Sequence, residues 1–259
     1  MRALAVFEKE ILEILKNRLL LFTTIPLPLI FVIIPLAFVY FTGNAPVDQK
    51  EVDLYLGLSP AFAGMDPRDV LQVVMAGQFM FLLLMTPSIV PMTIATFSIV
   101  GEKQARSLEP LLATPLRTWE LLLGKALAAV VPAVAATWIC YGILLAGMAV
   151  IARPLVFASV ASGVWPLTIL VLSPLLAILS VNMGMAISSR VSDTRVAQQL
   201  GSLIVLPLVG LGIAQTAGRM LYDMSMFFVG VTVIGLLAAG VLVMTTKLFQ
   251  RETILTRWK

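Results

Sequence analysis

Six stretches of this chain contain no Asp, Glu, Lys or Arg: 19–47, 70–101, 126–152, 154–189, 196–218 and 224–246. Each exceeds the roughly 20 residues that a helix rising about 1.5 Å per residue needs to cross the hydrocarbon core of a bilayer. A charged side chain near the bilayer centre costs about 2.5–3.5 kcal/mol on insertion scales, so charge-free windows of this length mark candidate spans. The windows predict helices near 19–41, 72–100, 121–151, 162–188, 197–215 and 226–247. In the longest window, Pro154 near the start and Pro166 within it predict a non-helical lead-in followed by one helix, rather than a tight hairpin.

Composition excludes the alternatives to a membrane protein. Charged residues make up 12% of the chain, about half the share of a typical soluble domain. The mean hydropathy of +1.00 would force a soluble fold to expose large apolar patches, and it excludes disorder. Cys140 is the only cysteine, which excludes a disulfide scaffold. There is no histidine, so imidazole catalysis and His-ligated metal centres are excluded, and no metal site is expected. The fold class is therefore all-α: a polytopic membrane protein with six transmembrane helices.

The positions of the basic residues orient it. Of 18 Lys and Arg, 14 fall on one side: the N-terminal arm, the loops after spans two and four, and the tail. Lys50, Arg68, Arg153 and Arg219 fall on the other. Basic residues collect on the cytoplasmic side, which predicts a multi-pass protein of the cell membrane with both termini cytoplasmic. The isoelectric point near 9.4 then reflects topology, aided by anionic lipid headgroups, and calls for no nucleic acid. No cleaved signal peptide is expected, since the first apolar run starts after residue 18, is longer than an h-region and lacks an A-x-A site.

The chain 1–259 reads as a single transmembrane domain. Within residues 1–18, Phe7, Ile11, Ile14 and Leu15 share one side of a helix and Glu8, Lys9, Glu13 and Lys16 lie elsewhere, the pattern of an interfacial amphipathic helix or, alternatively, of a cytoplasmic extension of the first span. The outer connection, roughly 42–69, reads as a solvated loop or a small cap. Residues 101–125, GEKQARSLEPLLATPLRTWELLLGK, form the largest charged block inside the chain. Leu108, Leu111 and Leu112 make an apolar stripe, Thr114-Pro115 breaks the helix, and Thr118 is placed to cap the next one. The pattern alone fits either a surface helix that docks on a soluble partner or an amphipathic connection.

These residues resemble the type 2 family of ATP-binding-cassette (ABC) permeases. Glu102-Lys103, Leu108-Glu109, Leu111-Leu112, Thr114-Pro115, Glu120 and Gly124-Lys125 match the family's pattern, although Arg106-Ser107 stand where members typically carry Gly-Thr. The Lys9-Glu10…Asn17-Arg18 arm and the tail at 248–259 are also similar to members. The resemblance implies a permease subunit of the exporter type, with a cytoplasmic coupling helix at 101–118 that docks on a separate ATPase. Carried over, the contact residues are Glu102, Arg106, Glu109 and Thr114, with Pro115 ending the helix. No G-x-x-x-x-G-K-[ST] sequence occurs, so this chain binds no cofactor itself, and ATP and Mg belong on the partner ATPase. A second permease copy, or a similar permease, is implied too.

The expected span cores hold no ionisable residue, which argues against ion-coupled transport and against intramembrane catalysis. Gln78, Asn182 and Gln215 are the largest neutral polar groups near membrane depth, suited to the transport pathway or to hydrogen bonds between helices. Pro87, Pro91 and Pro207 are candidates for kinks that shape a gate, or for packing adaptations. The competing function is a non-transporting assembly or sensor protein on the same six-helix scaffold.

Overall fold

The computed structural model describes residues 2–43, 49–58, 62, 64–104, 118–191, 193–210 and 224–248, and every regular element among them is helical. Helix α1 (Arg2–Lys16) and helix α2 (Arg18–Thr24) are separated by Asn17 alone. Asn17 caps α2 by accepting from the Leu20 N–H at 3.1 Å. After a break at Ile25 comes α3 (Pro26–Thr42), with a proline at its first position, where the missing N–H has no bond to lose. The outer connection is not merely a loop: it holds a ten-residue helix, α4 (Gln49–Leu58), resting on α5.

The second charge-free window is two helices in series, α5 (Pro67–Leu83) and α6 (Thr86–Gln104). At the junction the Leu84 and Met85 N–H groups bond only three residues back, to Phe81 and Leu82, at 3.1 and 2.9 Å. Pro87 follows directly, and its ring nitrogen has no N–H with which to restart the ladder. Helix α7 (Thr118–Ile151) runs unbroken through Pro132.

The expected non-helical lead-in before residue 162 is overturned. Residues Pro154–Ala161 form helix α8, because a proline at the first helical position favours a helix rather than preventing one. The break is made by Gly163, whose φ of +73° suits glycine. Beyond it, α9 (Val164–Leu167), a π-turn (Thr168–Leu172) and α10 (Ser173–Arg190) continue as one rod. Pro166 lies in the first turn of that rod, where its lost donor is free of cost. Then come α11 (Thr194–Ser202) and α12 (Met224–Leu248).

Among the described residues, five stretches are long and apolar enough to cross a membrane: Arg18–Thr42, Pro67–Gln104, Trp119–Ile151, Pro154–Arg190 and Met224–Thr246. Of the span expected at 197–215, residues up to Gly210 are helical apart from a 3₁₀ turn at Leu203–Val205. Its remainder lies outside the described residues.

Among the described residues, helices α6 and α10 make the most extensive contact. A side chain at Gly184 would stand 3.3 Å from the Ala95 Cβ and the Met92 carbonyl, so glycine sets the distance between them. The Ser180 hydroxyl donates to the Ser88 carbonyl across the same contact. Met80, Leu83, Leu84, Leu144, Met148 and Ile169 build the core in the half distant from α1. Ile94, Ile99, Leu122, Ala129, Val181 and Met185 build it in the nearer half. At the far end, Arg153 pairs with Asp66 (3.4 Å) and Asp69 (3.3 Å), while Gln72 donates to the Val39 carbonyl and the Thr42 hydroxyl. These bonds fasten the ends of α3, α5 and α8 farthest from α1 together.

Helix α7 receives α3 through Gly147, where a Cβ would fall 2.6 Å from a Leu36 methyl. Gly142, one turn earlier, faces open space. Gly147→Val is expected to lower stability by about 1–3 kcal/mol through overpacking, whereas Gly142→Ala is expected to be neutral or stabilising by up to about 1 kcal/mol. Thermal unfolding of the two variants in one detergent checks the contrast.

Candidate functional site

Helix α1 divides into three sectors. Val6 and Glu10 are buried against the body of the protein, with Ile14 half-buried below them. Leu4, Leu12 and Leu15 are exposed and apolar, while Lys9, Glu13 and Lys16 form an exposed polar edge. A carboxylate on the buried line, one turn from Val6 and one from Ile14, requires a partner, because an unpaired charge there is costly.

The partner comes from α7, 115 residues further along the chain. The Lys125 Nζ donates to the Glu10 carboxylate at 2.7 Å and to the Ser98 hydroxyl at 2.6 Å. Ser98, on α6, in turn donates to the other Glu10 oxygen at 2.7 Å. Lys125 also pairs with Glu102, in the last turn of α6, at 2.8 Å. The side chains of Lys125 and Glu10 are each only 4% exposed, and that of Glu102 is 10% exposed. Lys9 covers the group from outside, reaching Glu102 (3.2 Å), Glu13 (3.3 Å) and Glu10 (3.6 Å).

Gly124 makes this geometry possible. A Cβ there would lie 2.7 Å from the Val6 side chain and 2.8 Å from the Ala3 carbonyl, so α1 lies directly on the α7 backbone. The Gly-Lys pair read above as part of a family pattern thus has a physical meaning: glycine admits α1 and the adjacent lysine binds it. Glu102-Lys103 divides its work in a similar way. Glu102 turns toward α7 and α1, while the Lys103 Nζ donates to the Ser189 and Val191 carbonyls at the end of α10, at 3.2 and 3.4 Å. A cation at a helix C-terminus also meets the negative end of the helix dipole favourably.

Burial alone would raise the Glu10 carboxyl, but the Lys125 charge and the hydrogen bonds from Lys125 and Ser98 outweigh it and hold the pKa below its ordinary 4.5. Partial burial pulls Lys9 down, yet Glu102, Glu10 and Glu13 more than compensate and its pKa stands above 10.5.

Of the sequence candidates, Glu102 joins the cluster. Arg106, Glu109, Thr114 and Pro115 lie outside the described residues, as does most of the expected coupling helix at 101–118. Residues 101–104 continue α6, and α7 starts at Thr118. Gln78 is half-buried on α5. Asn182 is buried on α10, where its amide nitrogen donates to the Ile178 carbonyl at 2.7 Å and its Oδ1 finds no partner among the described residues. Gln215 lies outside the described residues. Pro87 and Pro91 are buried in α6, and Pro207 is exposed in a helical stretch. The structure brings Glu10, Ser98 and Lys125 together with Glu102, and the signal for Glu10 was an acid on the apolar Val6–Ile14 line.

A family model described as ABC-2 family transporter protein matches residues 72–234. That is more than half of the chain, which belongs to this family and is a multi-pass membrane protein. The family's membrane domain is a permease without catalytic activity of its own. No curated protein matches the chain. The matched region contains Ser98, Glu102, Gly124 and Lys125 but not α1 with Glu10.

Lys125→Met would leave Glu10 and Glu102 buried together without their central ammonium. The expected loss is about 3–5 kcal/mol. Glu13→Gln removes only an exposed partner of Lys9 and is expected to change stability by less than about 1 kcal/mol. Chemical unfolding of both variants checks the difference. The pH dependence follows from the same shifts. The contribution of Glu10 is present above its ordinary pKa and is lost as pH falls through the depressed one; that of Lys9 is present below 10.5 and is lost as pH rises through the raised value. Amide-exchange protection of α1, corrected for intrinsic rates, is therefore expected to be flat from about pH 5 to 9 and to fail in stronger acid.

Proposed function

We propose that this ABC-2 family protein is the transmembrane permease subunit of an ABC exporter, driven by ATP hydrolysis on a separate ATPase subunit. The reading takes the helical residues after Thr194 as the start of a sixth span at 197–215 and, by the distribution of basic residues, sets both termini in the cytoplasm. Helix α1 then lies at the cytoplasmic membrane surface, its Leu4, Leu12 and Leu15 side toward lipid. The segment 101–118 is the coupling element, with Arg106, Glu109, Thr114 and Pro115 as its contact residues and Glu102, paired with Lys125, bracing its root. ATP and Mg bind the ATPase, and a second permease copy, or a similar permease, completes the pathway.

The observation that carries this reading is the joining of the segment's two roots by the Glu102–Lys125 pair at 2.8 Å, in a chain whose family is that of ABC transporters. A loop closed at its base moves as a unit. A push delivered to it by the closing ATPase displaces the ends of α6 and α7 together rather than deforming the connection. The interruption at Leu84–Met85, ahead of Pro87, gives the second span a joint at which the α6 half swings relative to α5. Gln78, Asn182 and Gln215 are the polar groups such a motion presents to a cargo. The charge-free spans favour an amphipathic or lipid-like one.

Co-expression with candidate ABC ATPase subunits, sought first among those encoded by neighbouring genes, tests the proposal. The two chains are expected to co-purify and to show vanadate-sensitive ATP hydrolysis stimulated by the permease. Charge reversal by Glu109→Lys is expected to weaken association about ten-fold, or roughly 1.4 kcal/mol. Association and stimulated hydrolysis untouched by substitutions across 102–115 would contradict the coupling assignment.

A further inference from the structure

Three elements meet at Lys125, and only two of them flank the segment 105–117. The third is α1. Its Glu10 is 3% exposed and accepts from both Lys125 and Ser98. The Lys125 ammonium thus stands between a carboxylate on α6 and a carboxylate on α1, bound to both. The α1 backbone lies against Gly124 with no room for a methyl group, so the helix cannot slide inward past the root of α7. At its other end α1 joins α2 through the single residue Asn17, whose side chain is spent on capping α2. A displacement of α1 therefore passes to α2 and the stretch Arg18–Thr42 with little slack.

From this geometry we infer that Glu10 is a positioning residue that makes α1 part of the coupling element, carrying motion from the roots of the 105–117 segment to the first span. The inference rests on the permease reading above and adds a route to it. Without α1, motion at the segment reaches α6 and α7 directly and α10 through Lys103, but the first span meets these helices mainly along α3, at the far half of α7. With the Glu10–Lys125 bond intact, the first span is driven from its near end as well. The charge on Glu10 matters more than its volume: a neutral amide oxygen still accepts from Lys125, but the attraction between opposite charges is lost and the amide NH2 cannot accept from Ser98.

The test uses the full permease–ATPase complex in lipid vesicles, with an environment-sensitive fluorophore on Leu15→Cys. Leu15 is exposed on α1, and the one native cysteine, Cys140, is buried and will not compete for label. The probe signal is followed on adding Mg-ATP with vanadate. In the otherwise unaltered complex a nucleotide-dependent change is expected. Glu10→Gln is expected to shrink that change about five-fold or more while the ATPase still co-purifies. Glu10→Asp, or the pair Glu10→Lys with Lys125→Glu, is expected to restore part of it.

An undiminished change in Glu10→Gln would overturn the inference, as would a complex that binds its ATPase but shows no change at Leu15 in any form. Loss of ATPase binding in Glu10→Gln, with no recovery in Glu10→Asp or the charge-swapped pair, would show a merely structural role and overturn it too. Failure of the permease reading itself looks different, because no ATPase would then associate with the unaltered chain.

Discussion

The Lys125 ammonium is the point on which the arrangement at the α1 end depends. It lies seven residues into α7, just before the charge-free run 126–152, where a charge facing hydrocarbon would be expensive. The protein meets this by surrounding the ammonium with Glu10, Glu102 and the Ser98 hydroxyl, all at 2.6–2.8 Å. A buried ion pair of this kind is weak grounds for claiming stability, since desolvation offsets much of the attraction. What it supplies is a fixed relation between three helices, because removal of any one charge leaves the others uncompensated. The outer pairs of Lys9, which is 44% exposed, add little by comparison.

From that point the end of α6 becomes a junction. Glu102 is held by α7 and α1, while Lys103 is held by the carbonyls that end α10. Just beyond those carbonyls, Asp193 caps α11 by accepting from the Arg195 and Val196 N–H groups. The same α6 packs along α10 at a distance set by Gly184, and its Met92 side chain occupies the space over Gly201 of α11. The helix is thus gripped along its whole length by the elements that follow it and at its tip by those that precede it. The Leu84–Met85 interruption loosens the hydrogen-bond ladder ahead of α6, and Pro91 removes one further donor inside it. A helix with a joint at one end and the 105–117 segment at the other suits the proposed role of a subunit driven by a separate ATPase.

Much of the framework was legible in the sequence for a simple reason. The cost of charge in hydrocarbon is large and local, so a window without charge predicts a span wherever it lies. Five of the expected spans appear as apolar helical stretches at nearly the predicted positions. The same signal says nothing about backbone continuity. The breaks at Ile25, Leu84–Met85 and Ser162–Gly163 fall within or beside apolar runs, and the last is set by one glycine in the left-handed region rather than by either nearby proline. The segment 101–125 was legible as a pattern, but the reason for Gly124-Lys125 was not. Its explanation is Val6 and Glu10 on a helix more than a hundred residues away, and contacts at that separation leave no periodicity to read.

The central claim is that Lys125 and Glu10 are energetically coupled across the α1–α7 contact, and a double-mutant cycle measures that coupling directly. Unfolding free energies of the parent, Glu10→Gln, Lys125→Met and the double variant would be determined under one set of detergent conditions. A coupling energy of about 1–3 kcal/mol is expected, with the double variant more stable than the sum of its parts requires. Additive effects, within about 0.3–0.5 kcal/mol, would contradict it and leave α1 held by packing alone.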